Sequence, residues 1–142
     1  MGFTDKSGFK FPKPNKPKSK EVLDLENKVM GRKSKYGNLT CQCNHGHIHR
    51  SRFEGKVCDE LHYEYDKQLK AGTAEITTEK RFDFIIEGVK ICSHYMDFLI
   101  TFDDGKQLAV EAKGAVTAVW RIKKKLFQVL YPYIDYEIRY YK

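Results

Sequence analysis

The sequence predicts an α/β (α+β) fold in which helices flank one mixed sheet. Three observations predict it. Phe53, Val57, Leu61, Tyr65 and Leu69 recur every fourth residue between Ser51 and Ala71, the stripe of a half-buried helix. Tyr95–Phe102 and Gln107–Lys113 read as two apolar strands joined by an Asp103-Asp104-Gly105 turn. After these, Thr117–Leu130 returns to helical spacing, with Val119, Lys123, Leu126 and Leu130 along one side and Trp120 and Phe127 beside them.

The first helix has a recognisable start and stop. Ser51 is a good N-cap with Glu54 three residues on, and Gly72 suits the position just past the end. Arg81–Ile86 is expected to be a strand ending at a Glu87-Gly88 turn. Tyr131-Pro132 closes the second helix, because proline disfavours helical backbone in the residue before it. Tyr133–Tyr140 then alternates as a strand, with Ile134, Tyr136, Ile138 and Tyr140 on one face. The order is helix, three strands, helix, strand, with no internal repeat.

The chain has 142 residues, enough for one domain with a sizeable core. Residues 39–142 are expected to form it, with residues 1–38 as a basic flexible arm and linker that holds a short helix near Glu21–Val29. Ten of the 26 Lys/Arg residues but only four of the 19 Asp/Glu lie within residues 1–35, so the remainder is nearly neutral. The arm includes Lys10-Phe11-Pro12-Lys13-Pro14-Asn15-Lys16-Pro17-Lys18 and suits counterion-release binding to a phosphate backbone. No apolar run approaches a membrane span, and no signal-type segment opens the chain, which points to the cytoplasm. There, four cysteines are expected to be reduced or metal-bound rather than disulfide-bonded.

Three charges interrupt the apolar hairpin: Asp97, Glu111 and Lys113. A buried charge is costly unless it pairs or binds metal. A three-residue turn would pair Phe102 with Lys106 and set Asp97 opposite Glu111, about 5 Å apart at Cβ. Glu111 and Lys113, two residues apart, share a face. Two carboxylates so close repel unless a cation lies between them, and hard oxygen ligands select Mg²⁺ or Mn²⁺. Lys113 could then orient an attacking water and stabilise developing charge, an apparatus for metal-assisted phosphodiester hydrolysis. The plainer alternative is a cross-strand ion pair on a solvated sheet face.

This arrangement resembles the PD-(D/E)XK nuclease superfamily, whose signature is an acid on one strand and acid-x-Lys on the next. Asp97 matches the first acid, Glu111 the second and Lys113 the lysine, while Met96 stands where the superfamily often has proline. More narrowly, the chain resembles small phage-encoded nuclease-like proteins through Ser51-Arg52-Phe53-Glu54, Tyr95–Phe98, Glu111–Gly114, and Thr117 with Arg121 to Lys125, over roughly residues 45–140. The resemblance implies a restriction-endonuclease-like α-β-β-β-α-β core. It implies an endodeoxyribonuclease, in which Asp97, Glu111 and the backbone carbonyl of Ala112 hold Mg²⁺ and Glu54 joins the metal–water network. It also implies action as a homodimer on branched or junction DNA. Thr117, Arg121 and Lys124, at the start of the basic second helix, are expected to contact DNA phosphates. Two alternatives stay open: an RNA-directed nuclease, and a non-catalytic, zinc-stabilised nucleic-acid-binding protein.

Cys41-Gln42-Cys43-Asn44-His45-Gly46-His47-Ile48-His49 is dense in zinc ligands. A turn at Asn44–Gly46 would gather Cys41, Cys43, His45 and His47 around a structural Zn²⁺, or let Cys58, His62, Cys92 or His94 supply a ligand. The aromatic residues Trp120, Tyr131, Tyr133, Tyr136, Tyr140 and Tyr141 are expected mostly in the core.

Overall fold

The computed structural model describes residues 39–142. The basic arm and the expected helix at Glu21–Val29 lie outside the described residues. The element order is β1 (Cys41–Gln42), β2 (Ile48–His49), α1 (Arg52–Glu64), α2 (Asp66–Ala71), β3 (Ala74–Ile86), β4 (Val89–Phe102), β5 (Gln107–Lys113), α3 (Ala118–Leu130) and β6 (Ile134–Tyr140). The four long strands form one mixed sheet in the order β3-β4-β5-β6, antiparallel except for the parallel β5–β6 pair. The parallel pair follows from connectivity: α3 carries the chain from β5 back to the end of the sheet where β5 began. Among the described residues no helix is long and apolar enough to cross a membrane.

The sheet is covered on both faces. Val57, Cys58 and Leu61 of α1 pack on Phe98, Ile100 and Val110. On the opposite face, Phe127 of α3 packs with Leu99, Ala109 and Ile134. Adjacent residues of β4 and β5 thus serve opposite cores, as strand pleating requires. This double burial explains why these two strands read as nearly continuous apolar runs.

Several elements differ from expectation in extent. The expected helix over 51–71 is two helices, broken at Tyr65, whose φ of −104° and ψ of 17° leave helical geometry. The stripe persists because Leu61 is buried and Tyr65 turns onto Phe102 at a ring separation of 5.7 Å. β3 starts seven residues earlier than Arg81, and β4 starts at Val89. Polar Thr77 and Thr78, which hid the first half of β3, pair with Leu99 and Phe98. The chain reverses at Glu87-Gly88, both at positive φ (48° and 78°), the conformation that a two-residue hairpin turn needs.

Candidate active site

The β4–β5 register is set by the turn. Phe102 N–H donates to the Lys106 carbonyl, Gly105 N–H returns to the Phe102 carbonyl, and Gly105 takes a φ of 84°. From there Ile100 pairs with Leu108, Leu99 with Ala109 and Phe98 with Val110. One more step would pair Asp97 with Glu111, but the ladder stops at Phe98. Beyond that point β4 stays with β3, while β5 continues beside β6 as far as Lys113. The hairpin therefore forks at Asp97. The expected Cα-paired contact between the two acids is replaced by a different one: the Asp97 carboxylate accepts the backbone N–H of Ala112 at 2.9 Å.

A second irregularity coincides with the fork. The β3–β4 ladder skips Glu79 opposite Asp97, and Glu79 has a φ of 52°. Regular alternation would put Met96 on the face of Phe98. Instead Met96 packs in the cluster of Leu99 and Phe127. The side-chain alternation of β4 reverses at Asp97, and His94 is thereby brought to Glu111.

Glu111 is the most tightly held of the acids and only 4 % exposed. Trp120 Nε1–H donates to Oε1 at 2.6 Å, Tyr136 Oη–H donates to Oε2, and His94 Nε2 lies 3.4 Å from Oε2. Burial pushes the Glu111 carboxyl pKa up, but the His94 and Tyr136 contacts and the Lys113 charge outweigh it and hold the group below its ordinary value. Lys113 Nζ sits 3.9 Å from Glu111 Oε1 and 5.1 Å from the Trp120 ring centroid, so the ammonium has both a carboxylate and an aromatic face beside it.

Asp97 is in the opposite condition. Burial, then the charge of Glu54, raise its carboxyl to about 7; the Ala112 N–H opposes this, Glu111 adds to it and Lys113 opposes it. Glu54 also takes part in capping α1, though its carboxylate accepts the Arg50 and not the Ser51 backbone N–H. Its backbone N–H donates to Ser51 Oγ at 3.1 Å, Ser51 Oγ–H donates to Oε1 at 3.2 Å, and Arg50 N–H donates to Oε2 at 3.1 Å. Burial raises the Glu54 carboxyl despite these bonds.

Glu54, Ala112, Lys113 and Thr117 help to line an open groove of about 610 Å³, together with Ser51 and Tyr141. Thr117 is the N-cap of α3, accepting from Trp120 N–H at 3.2 Å. Lys124 Nζ lies 5.6 Å over the Trp120 ring, and Arg121 is exposed one turn into the helix. Lys123, by contrast, donates to the Ser93 carbonyl at 2.8 Å and serves packing. Among the aromatics, Trp120 and Tyr136 enter the site, while Tyr133, Tyr140 and Tyr141 are exposed rather than in the core.

The fit of a hard cation rests on the donor set. Each carboxylate oxygen has two lone pairs. Among the described residues, Oδ2 of Asp97 accepts from Ala112, which leaves Oδ1, and Oε1 of Glu111 accepts only from Trp120. Among the described residues, carboxylate oxygens, the donor type that a hard cation prefers, are therefore left at the fork.

The Cys/His segment folds as expected at its turn, where Cys43 N–H donates to the His47 carbonyl at 3.0 Å and Gly46 N–H to the Cys43 carbonyl at 3.1 Å. Its expected ligand set is corrected in half. Cys43 and His47 converge with His49 and Cys58, in a group whose donor atoms lie within 4.8 Å of one another. Cys41 is drawn elsewhere: its thiol donates to the Ser51 carbonyl at 3.2 Å. His45 is outside this group but shares a second one with Cys43 and Asp59, contacting Asp59 Oδ1 at 3.2 Å and stacking on His62 at 3.9 Å. Of this group only His49 was not expected, because its place beside Cys58 depends on how the ribbon packs on α1. Likewise His94, Trp120 and Tyr136 carry no motif; only the fork and the α3 packing bring them to Glu111.

No curated protein and no solved structure matches the chain. Residues 33–142 match the model of a family described as "Protein of unknown function (DUF1064)", and the chain belongs to that family.

Proposed function

We propose that the protein is a divalent-metal-dependent endonuclease of the PD-(D/E)XK kind that hydrolyses DNA phosphodiester bonds, with branched DNA as its preferred substrate. The observation that supports this reading most is a raised Asp97 carboxyl, bonded to the Ala112 N–H, beside the buried Glu111 and its Lys113 neighbour where the β4–β5 hairpin forks. An ordinary surface ion pair would not bury Glu111 under Trp120, Tyr136 and His94, nor leave Asp97 so poorly compensated.

Asp97, Glu111 and the Ala112 carbonyl would hold the Mg²⁺ ion, which when bound supplies Lewis-acid polarisation of the phosphoryl oxygen and a more acidic water. Trp120, Tyr136 and His94 fix the Glu111 carboxylate in one orientation, so the acid needs little reorganisation. Lys113, on the groove wall, donates a hydrogen bond to the attacking water and offsets negative charge gathering on the phosphate. Glu54, also on the groove, accepts from that water and leaves its Ser51 and Arg50 bonds to fix the start of α1. Thr117, on the groove, and Arg121 and Lys124, further along α3, would contact the DNA backbone.

The test compares wild type with Lys113→Ala on linear, flapped and four-way DNA and on matching RNA, with Mg²⁺ and with EDTA. Wild type should nick DNA only with Mg²⁺, and the variant should be slower by about 10²-fold or more while binding DNA equally. Equal cleavage by both removes Lys113 from the chemistry. Binding without cleavage of any substrate identifies a non-catalytic nucleic-acid-binding protein.

A further inference from the structure

A second cluster of metal-ligating side chains lies apart from the carboxylates, between the β1–β2 ribbon and the first turns of α1. We propose that Cys43, His47, His49 and Cys58 form a closed structural Zn²⁺ site that staples this ribbon to α1.

The donor chemistry selects the metal. Two thiols and two imidazoles form a soft-to-borderline set that suits Zn²⁺ and not Mg²⁺, in contrast to the all-oxygen set around Asp97. The four donor atoms already lie within 4.8 Å of one another. Ligands around tetrahedral zinc stand about 3.3–3.8 Å apart, given bond lengths of roughly 2.0–2.3 Å. Binding therefore needs a contraction of about 1 Å, within the reach of side-chain rotation. His47 Nδ1 and Cys58 Sγ, at 3.4 Å, are already at that spacing.

An independent observation points the same way. His49 is only 4 % exposed, and its Nε2 is a buried polar atom with no hydrogen-bond partner among the described residues. A buried ring nitrogen left so costs on the order of 1–3 kcal/mol, and native structures seldom leave one unexplained. A metal ion is the partner that the three neighbouring donors supply.

Charge also balances. Zn²⁺ displaces one proton each from the Cys43 and Cys58 thiols, and two thiolates with two neutral imidazoles leave a site of zero net charge. A neutral centre suits the position, since Cys43 and Cys58 belong to the apolar cluster of Val57, Leu61 and Phe98. Four protein ligands leave no open position, which assigns the ion a structural and not a catalytic role.

The fold needs such a staple. β1 and β2 are two residues each, far too short to hold as an isolated hairpin. The ribbon leads directly into Arg50 and Ser51, whose groups fix Glu54. Zinc at Cys58 would tie both ends of that connection to α1. The inference stands on the nitrogen and sulfur donors alone and does not rest on the hydrolase reading.

The test uses the full-length chain, purified without chelator from zinc-supplemented cells, with metal content measured by mass spectrometry. One zinc per chain is expected. Cys43→Ser and His49→Ala should reduce it to background, whereas Cys41→Ser and His45→Ala should retain it. Because a ligand variant can fail to fold, wild type is also stripped and titrated with Co²⁺, which should give tetrahedral d–d bands and a thiolate charge-transfer band. Absence of zinc together with absence of that charge-transfer band overturns the proposal. So does zinc retained by His49→Ala, or lost from Cys41→Ser and His45→Ala. Zinc content is read without DNA, so a zinc-loaded protein that cleaves nothing counts against the endonuclease alone.

Discussion

Asp97 carries the largest unresolved charge of the carboxylate site. Its carboxyl is raised from an ordinary 3.8 to about 7 by burial and then by Glu54, so in metal-free protein it is about half protonated at neutral pH. The unfolded chain ionises Asp97 near its ordinary value, while the folded protein resists ionisation up to about 7. Stability is thus lost progressively as pH rises through that window and is flat above it. Asp97→Asn keeps an oxygen for the Ala112 N–H and removes the charge. In EDTA the variant should be more stable than wild type by about 1–3 kcal/mol at pH 8 and nearly equal to it at pH 4, as measured by denaturant unfolding. An advantage over wild type no larger at pH 8 than at pH 4 would show that Asp97 is well compensated by the protein itself. Of the residues around this acid, Glu111 and Lys113 were legible because a charge in an apolar strand stands out. His94, Trp120 and Tyr136 were not, because histidine and aromatics in strands and helices are equally at home in a core.

At the scale of elements, the start of α1 joins the two candidate sites through one close approach. Gly55 is buried on the ribbon side, and a Cβ added there would lie 2.6 Å from Cys41 Sγ. The glycine is needed for that contact, since an alanine in a helix would otherwise be preferred by about 1 kcal/mol. Gly55→Ala should therefore destabilise the protein by about 1–3 kcal/mol through overpacking. In a Cys41→Ala background the same change should be neutral or stabilising, because the clashing sulfur is gone. Thermal unfolding of the four proteins of this cycle checks it; equal effects of Gly55→Ala in both backgrounds would place the strain elsewhere. The cap at Ser51 and the turn at Gly105 were readable because each depends on local backbone chemistry. The break at Tyr65 and the early start of β3 were not, because both are settled by neighbours: Phe102 against Tyr65, and Phe98 and Leu99 against Thr78 and Thr77.

For the whole molecule, charge is divided between regions. Residues 1–35 hold ten of the 26 basic side chains, and the rest of the chain is close to neutral. If the arm supplies the phosphate grip, removing residues 1–35 should weaken DNA binding by about tenfold or more at moderate salt and flatten its salt dependence. Fluorescence anisotropy over a salt series measures both, and cleavage at saturating protein should survive, because Asp97, Glu111 and Lys113 all lie beyond the deletion. An unchanged salt slope would move the grip to α3 and the groove. Within the described residues the architecture is a two-faced sheet, with α1 fastening one core and α3 the other. Such a sheet can open at one point without losing either core, which is what the β4–β5 fork does.

The sequence by itself determined the order of the core helices and sheet strands, the three-residue turn, the register that runs from it and the acids and lysine in those strands. These depend on short-range rules: side-chain alternation, helical spacing, and the few residues that accept positive φ. The tertiary structure alone decided that the ladder stops at Phe98, so that Asp97 takes the Ala112 N–H instead of facing Glu111. It also decided that Cys58 and His49, rather than Cys41 and His45, complete the cluster with Cys43 and His47. Both outcomes turn on which element packs against which, a competition among distant residues that no local pattern encodes.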